Sequence, residues 1–215
     1  MPSQSFADTE FVVRVIAQTA CDNEKLFGEL DSVVGDGDFG YSLARGFEVI
    51  LADWDTYDRT DIGAFLQKIA IAITSRIGGT SGPIWGTGFL RVAARFKGQD
   101  HLTSADTIAA LRAAVEGIMS RGGAELGDKT LLDALVPAID ALEAAFTSGK
   151  DAGEALRAGY AAADEASKAT TVLQARRGRA AYTGERSIGS PDPGAVAVAI
   201  ILGQISDQWA NRQNP

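Results

Sequence analysis

Apolar residues recur at three- and four-residue spacing along most of the chain, the pattern of one face of an amphipathic helix. Phe11, Val12, Val15, Ile16 and Thr19 form one such series. Ile108, Leu111, Ala114, Val115 and Ile118 form a second, and Leu131, Leu132, Leu135, Ile139 and Leu142 a third. Three segments carry helix-start chemistry: Asp61 before Ile62, Ser81 before Pro83, and Asp192 before Pro193. In each a short polar side chain can accept a free amide proton, and proline tolerates the first turn. The pattern predicts helices near 7–27, 40–54, 62–76, 82–97, 104–121, 129–147, 152–171 and 193–211. Strand-like alternation is almost absent, and the run VAVAII at 196–201 fits a buried helix as readily as a strand. The predicted class is all-α, with about eight helices.

No repeat, low-complexity segment or long linker divides the 215 residues, a length that suits one large domain spanning 1–215. Four loops concentrate glycine, charge and hydroxyls: 31–40, 78–86, 122–130 and 176–194. In an antiparallel bundle, loops at one end lie close together, so a composite site is plausible. The balance of 20 basic against 28 acidic side chains argues against non-specific binding to nucleic acid or to an anionic membrane. The uncharged apolar stretch from Gly194 to Ser206 is too short to span a bilayer. The N-terminus has neither the basic nor the apolar region of a secretory signal. The single cysteine, Cys21, suits a reducing cytoplasm and reads as a small buried apolar residue. The single histidine, His101, lies in a polar stretch and excludes any site that needs two.

The sharpest chemistry is in Asp31-Ser-Val-Val-Gly-Asp36-Gly-Asp38-Phe-Gly40. Two carboxylates ~5 Å apart at an effective dielectric near 20 repel by about 3 kcal/mol, so a folded cluster needs a compensating cation. All-oxygen ligands favour a hard ion such as magnesium. The alternative is a solvated acidic turn that caps a helix, but a cap needs one carboxylate and not three.

Gly78-Gly-Thr80-Ser81-Gly-Pro83-Ile-Trp-Gly86 is a glycine-rich loop opening a helix, either a phosphate cradle or a capped loop shaped for close helix packing. It lacks the lysine of a Walker A loop. In Gly127-Asp128-Lys129-Thr130, Asp128 reads as a helix N-cap, and Lys129 either meets a phosphate or lies in solvent. The long connection from Ala175 to Gly194 holds Arg176, Arg177, Arg179 and Arg186 in an otherwise acidic chain. Loops this long are usually functional or disordered, and arginine forks suit a diphosphate or an acidic protein partner.

Taken together, and in this order, the aspartate cluster, GGTSGPIWG, GDKTLLDALVPAIDAL and ARRGRAAYTGERSIGSPDPGA resemble the L-subunit family of bacterial dihydroxyacetone kinases. The resemblance spans nearly the whole chain. It implies an eight-helix antiparallel up-and-down barrel with a nucleotide, ADP or ATP, at one rim. It implies that Asp31, Asp36 and Asp38 ligand two magnesium ions, and that Thr80 and Ser81 contact phosphate. Phe39, Gly40, Ser42, Gly122, Leu131, Arg179 and the Asp192-Pro193-Gly194 turn would line the nucleotide pocket. A K-type subunit would hold dihydroxyacetone, and an M-type phosphotransferase-system subunit is a further partner of one branch.

Two positions depart from the family pattern. Phe39 stands where the family has histidine and Ser42 where it has asparagine, so one phosphate contact is lost or passes to Ser42 or water. The departures leave open a related ketose such as a tetrulose, or a nucleotide-sensing module without turnover. The expected chemistry is magnesium-dependent phosphoryl transfer governed by positioning and electrostatics.

Overall fold

The computed structural model describes residues 3–213, which are helical with no β-strand among them. Among the described residues nine α-helices stand where eight were expected: α1 (Gln4–Asp22), α2 (Glu24–Val34), α3 (Phe39–Ala52), α4 (Ile62–Arg76), α5 (Ser81–Phe96), α6 (Ser104–Gly122), α7 (Leu132–Thr147), α8 (Ala152–Ala169) and α9 (Pro193–Gln213). The extra helix comes from the segment predicted as one helix over 7–27. Asn23 caps α1 with its backbone outside the helical region (φ −106°, ψ 16°), its side chain and its own amide both donating to the Thr19 carbonyl, at 2.8 and 3.1 Å. The chain restarts at Glu24 and continues to Val34, so Asp31 lies on a helix and not in a loop. The segment 196–201 is part of α9. On α1 the buried side chains include Val13, Val15, Ala17, Thr19 and Ala20, whereas Phe11, Val12 and Ile16 are only half-buried.

The expected caps at Asp61 and Asp192 are present, accepting from Ala64 N at 2.8 Å and Ala195 N at 2.7 Å. Ser81 is instead the first residue of α5, behind a Thr80 whose side chain makes no capping bond. Capping boxes open α6 (Thr103 with Asp106) and α8 (Asp151 with Glu154).

The chain divides into two compact units, one holding the chain up to Glu24 with Tyr41–Gly123, the other Lys25–Gly40 with everything from Ala124 on. In the first, the fully buried Phe65 ring meets Phe6 and Trp54 at 5.6 Å and Tyr57 at 6.4 Å. Here α5 packs between α4 and α6. The approach of α4 to α5 depends on Gly63, where a Cβ would fall 2.6 Å from Lys97 Cα and 2.7 Å from the Ala93 carbonyl. In the second unit, α7, α8 and α9 pack against one another around Leu132, Ile139, Ala163 and Ile201. Gly159 lets α8 approach the Ala138 carbonyl of α7, and Gly203 lets α9 approach the Tyr160 ring. No helix among the described residues is long and apolar enough to cross a membrane.

Candidate functional site

The last turn of α2 and the four residues after it build a carboxylate cluster in the second unit. Phe27 and Val34, seven residues apart and both buried, fix the face of α2 that turns inward. Gly37, at φ 78°, then reverses the chain into α3. The Phe39 N–H donates to Asp31 Oδ2 at 3.3 Å, and the Phe39 ring packs on Phe27 at 5.9 Å between centroids. A Cβ on Gly35 would overlap the Asp31 carboxylate, so glycine there makes the space that the carboxylate fills.

One carboxylate oxygen from each of Asp31, Asp36 and Asp38 lies within 4.8 Å of the others. Arg179 Nη1 pairs with Asp36 and, at 2.9 Å, with Asp38. Burial, then the negative charge of Asp31, holds the Asp38 carboxyl above its usual range. One guanidinium against three carboxylates leaves two formal negative charges uncompensated. Magnesium–oxygen bonds of ~2.0–2.1 Å put ligands of one octahedral ion ~3–4 Å apart. The spread of these oxygens and their hard, all-oxygen chemistry therefore fit divalent ions.

The GDKT segment and the arginine loop form one structure. Asp128 does not cap a helix. Its carboxylate accepts from Glu125 N at 3.0 Å and from Arg177 Nε at 2.8 Å, and its carbonyl accepts from Arg176 N at 3.0 Å. Burial alone would raise its pKa, but the Glu125 amide and the Arg177 guanidinium outweigh burial and hold it below the ordinary value. The cap-like role falls to Asp133, which accepts from Thr130 N at 2.7 Å and from Gly127 N.

Lys129 is neither in solvent nor free to meet a phosphate. It is 2% exposed, and its Nζ donates to the carbonyls of Leu173 at 3.0 Å, Ser187 at 2.5 Å and Ser190 at 2.7 Å. Burial pulls its pKa down, and the nearby Asp192 opposes that pull. Lys129 is also the one non-glycine residue among the described ones with a positive φ, 62°. At the far end of the loop the Asp192 carboxyl is pushed up to about 7, chiefly by burial and then by Asp133, against the Ala195 and Gly194 amides and Lys129. Gly194 stands so close to Leu131 that a Cβ would fall 3.2 Å from the Leu131 Cβ. Leu131 is half-buried, and Gly40 and Pro193 are buried.

The remaining expected site residues belong to the first unit. Ser42 lies beside the glycine loop, its Oγ 3.4 Å from where a Gly78 Cβ would be. Thr80 is exposed and Ser81 half-buried at the start of α5, whose first amides present the positive end of a helix dipole. Gly122 is exposed at the end of α6, where Gly123 takes the left-handed cap. His101 is exposed, as expected. Cys21 is half-buried rather than buried, its Sγ 3.7 Å from the Ala44 carbonyl.

The DAK2 domain model matches residues 33–207. The ADP-binding subunit DhaL of the PEP-dependent dihydroxyacetone kinase of Escherichia coli is 38% identical over 181 residues, 84% of this chain and 86% of that one. L-erythrulose 1-kinase of Mycolicibacterium smegmatis is also 38% identical, over 89% of this chain but 34% of its own. A crystal structure of the C. freundii dihydroxyacetone kinase in complex with AMP-PNP and Mg2+ superposes with a TM-score of 0.76 at 25% identity, covering 97% of this chain and 35% of that one. The chain thus spans most of the bacterial subunit but only about a third of the two larger kinases. With a family model matching most of its length and a relative of which it spans 86%, the chain belongs to the DAK2 domain family.

Proposed function

We propose that this chain is the nucleotide-binding subunit of a kinase that phosphorylates a small ketose, dihydroxyacetone or a tetrulose, held on a separate K-type subunit. The observation that carries the reading is the convergence of Asp31, Asp36 and Asp38 with Arg179 set against two of them. A chain of net charge −8 repels a free nucleotide, and a carboxylate cluster repels it most. Magnesium held by these aspartates would admit the phosphates and spread their charge during transfer. Arg179 supplies the planar fork that suits a phosphate oxygen pair. The first amides of α5, with the Thr80 and Ser81 hydroxyls, offer donors to anionic oxygen. Phe39, Gly40, Ser42, Gly122, Leu131, Asp192, Pro193 and Gly194 are the further nucleotide contacts that the family resemblance implies.

The AMP-PNP and Mg2+ of the C. freundii structure support the nucleotide and the metal, and the name of the E. coli relative supports ADP. That relative is PEP-dependent and its Lactococcus lactis counterpart PTS-dependent, which supports ADP as a resident cofactor recharged through an M-type partner. The same 38% identity to the L-erythrulose 1-kinase, over 34% of that protein, supports a tetrulose as the alternative substrate, and ATP is the alternative phosphoryl donor. The deciding experiment is calorimetric titration of nucleotide-stripped protein with ADP and with ATP, each with magnesium and with chelator. Tight magnesium-dependent ADP binding, lost in Asp36→Asn with helical content retained, is the expected result. Undiminished binding by Asp36→Asn would remove the metal assignment, and no binding by the unaltered protein would remove the function.

A further inference from the structure

We propose that Lys129 is a positioning residue: by clamping both arms of the 173–190 loop it sets Arg179 against Asp36 and Asp38. The inference rests on the site reading above and adds a residue to it. The two arms of the loop lie on either side of Arg179 in the sequence, and each is pinned at both ends. Lys129 Nζ takes the Leu173 carbonyl from the incoming arm and the Ser187 and Ser190 carbonyls from the returning one. Its three N–H donors are thereby used in full, so the ammonium acts as a three-way joint and not as a ligand for substrate. Ser187 ties the arms to each other, accepting from Ala175 N at 2.9 Å and donating to the Gly184 carbonyl at 2.6 Å. The incoming arm is fixed again through Arg177 and the Arg176 amide on Asp128. The Gly189 amide donates to the Thr171 carbonyl at 2.8 Å, closing the base of the loop.

Between the two arms the tip winds into a 3-10 helix, Arg179–Ser187, and Arg179 is its first residue. Its guanidinium is about half exposed and pairs with Asp36 and Asp38. An exposed arginine on a free loop would exchange such partners readily for water. The joint at Lys129 holds the tip where the pairing persists. The left-handed backbone of Lys129 is consistent with this account, since such a conformation in a non-glycine residue persists only where its surroundings enforce it. Methionine at 129 keeps the length of the stem and removes the three donors.

A bound divalent ion and Arg179 compete for the charge of the same carboxylates. Freeing Arg179 therefore strengthens metal binding, the opposite of what structural damage does. The experiment titrates the full chain with Mn2+ alone, reading free ion by electron paramagnetic resonance, for the unaltered protein, Lys129→Met, Arg179→Ala and the double variant. The two single variants are expected to bind Mn2+ about three- to fivefold tighter, and the double variant no tighter than Arg179→Ala. In parallel, the Arg179 Nε–H resonance, assigned through Arg179→Lys, should exchange slowly in the unaltered protein and rapidly in Lys129→Met. Arg177→Gln, at an exposed position, loosens one arm without touching the joint. It should shift both readouts the same way by less, which keeps the test valid if Lys129→Met fails to fold. Unchanged or weaker Mn2+ binding in Lys129→Met and Arg177→Gln, with Arg179 still protected, would overturn the proposal while leaving the metal site intact. Absence of Mn2+ binding in every variant would instead overturn the metal site, and the proposal with it.

Discussion

Replacing Gly35 with alanine perturbs the carboxylate cluster without removing a charge. A Cβ there overlaps the Asp31 carboxylate and sits 2.9 Å from its Cγ and 3.1 Å from the Asp31 carbonyl oxygen. Gly35 is not in the left-handed region, so alanine is conformationally acceptable, and the Asp31 side chain gives way by rotating outward. The rotation breaks the bond from the Phe39 amide to Asp31, worth ~1 kcal/mol. Removing glycine from the unfolded chain returns ~0.4–1 kcal/mol, so the net change in stability lies within about 1 kcal/mol of zero. Metal affinity changes far more. Moving one carboxylate from ~4 to ~7 Å from a divalent ion costs about 1 kcal/mol at the dielectric of water and about 4 kcal/mol at an effective value of 20. Asp36 and Asp38 are exposed, which favours the lower part of that range. The expected result is Mn2+ affinity reduced about five- to thirtyfold with a nearly unchanged urea midpoint. Unaltered Mn2+ affinity would show that Asp31 contributes nothing to the cation site. Destabilisation by several kcal/mol would show that the Asp31 side chain is not free to rotate.

The interior glycines make a second, paired prediction. Gly63→Ala meets the backbone of Lys97 and Ala93 and should cost about 2–3 kcal/mol in urea unfolding, whereas Gly88→Ala meets only the tip of Ile118 and should range from neutral to about 1 kcal/mol stabilising. Equal effects of the two would refute backbone contact as the cause. Asp192, at about 7 in the folded chain against 3.8 ordinarily, binds its proton more tightly when folded. Its contribution is therefore full below the ordinary value and is lost as pH rises through 7. Between pH 5 and 8 the unaltered protein should lose about 2 kcal/mol more stability than Asp192→Asn, in which the cap remains and the titration does not. Parallel stability curves for the two proteins would contradict the assignment. The Cys21 thiol is raised to about 11, chiefly by burial and then by Glu48 and Asp22. Its alkylation by iodoacetamide at pH 8 should be about a hundredfold slower than that of a free thiol and still rising at pH 10, whereas a plateau near pH 9 would disprove the shift.

The helices were legible because the apolar period that marks them is a local property and survives in this fold. The boundary at Asn23 was not, because one asparagine inside a periodic run is ordinarily tolerated, and it is the Asn23 backbone, turned out of the helical region, that ends the helix. The carboxylate trio was legible for the same local reason: three like charges within eight residues state an electrostatic problem before any fold is known. The place of Asp31 on a helix was harder to see, since it depends on Phe27 and Val34 being buried together.

Lys129 marks the limit of that kind of inference. Its partners are three backbone carbonyls lying 44 to 61 residues further along the chain, and a carbonyl leaves no mark on the identity of the residue that bears it. A lysine between aspartate and threonine after a glycine suggested a phosphate contact or a solvated side chain, and burial excludes both. The arginines of the loop show the complementary case. Four cations in an acidic chain were visible as a group, but their partners were not. Arg177 turns to Asp128 and Arg179, two residues on, to Asp36 and Asp38, while Arg176 and Arg186 are exposed. The sequence therefore posed one question about this loop, phosphate or protein partner, which the structure divides by residue. Arg177 anchors the incoming arm of the loop on Asp128, Arg179 belongs to the carboxylate cluster, and the exposed Arg176 and Arg186 are the two whose charge is open to an acidic surface.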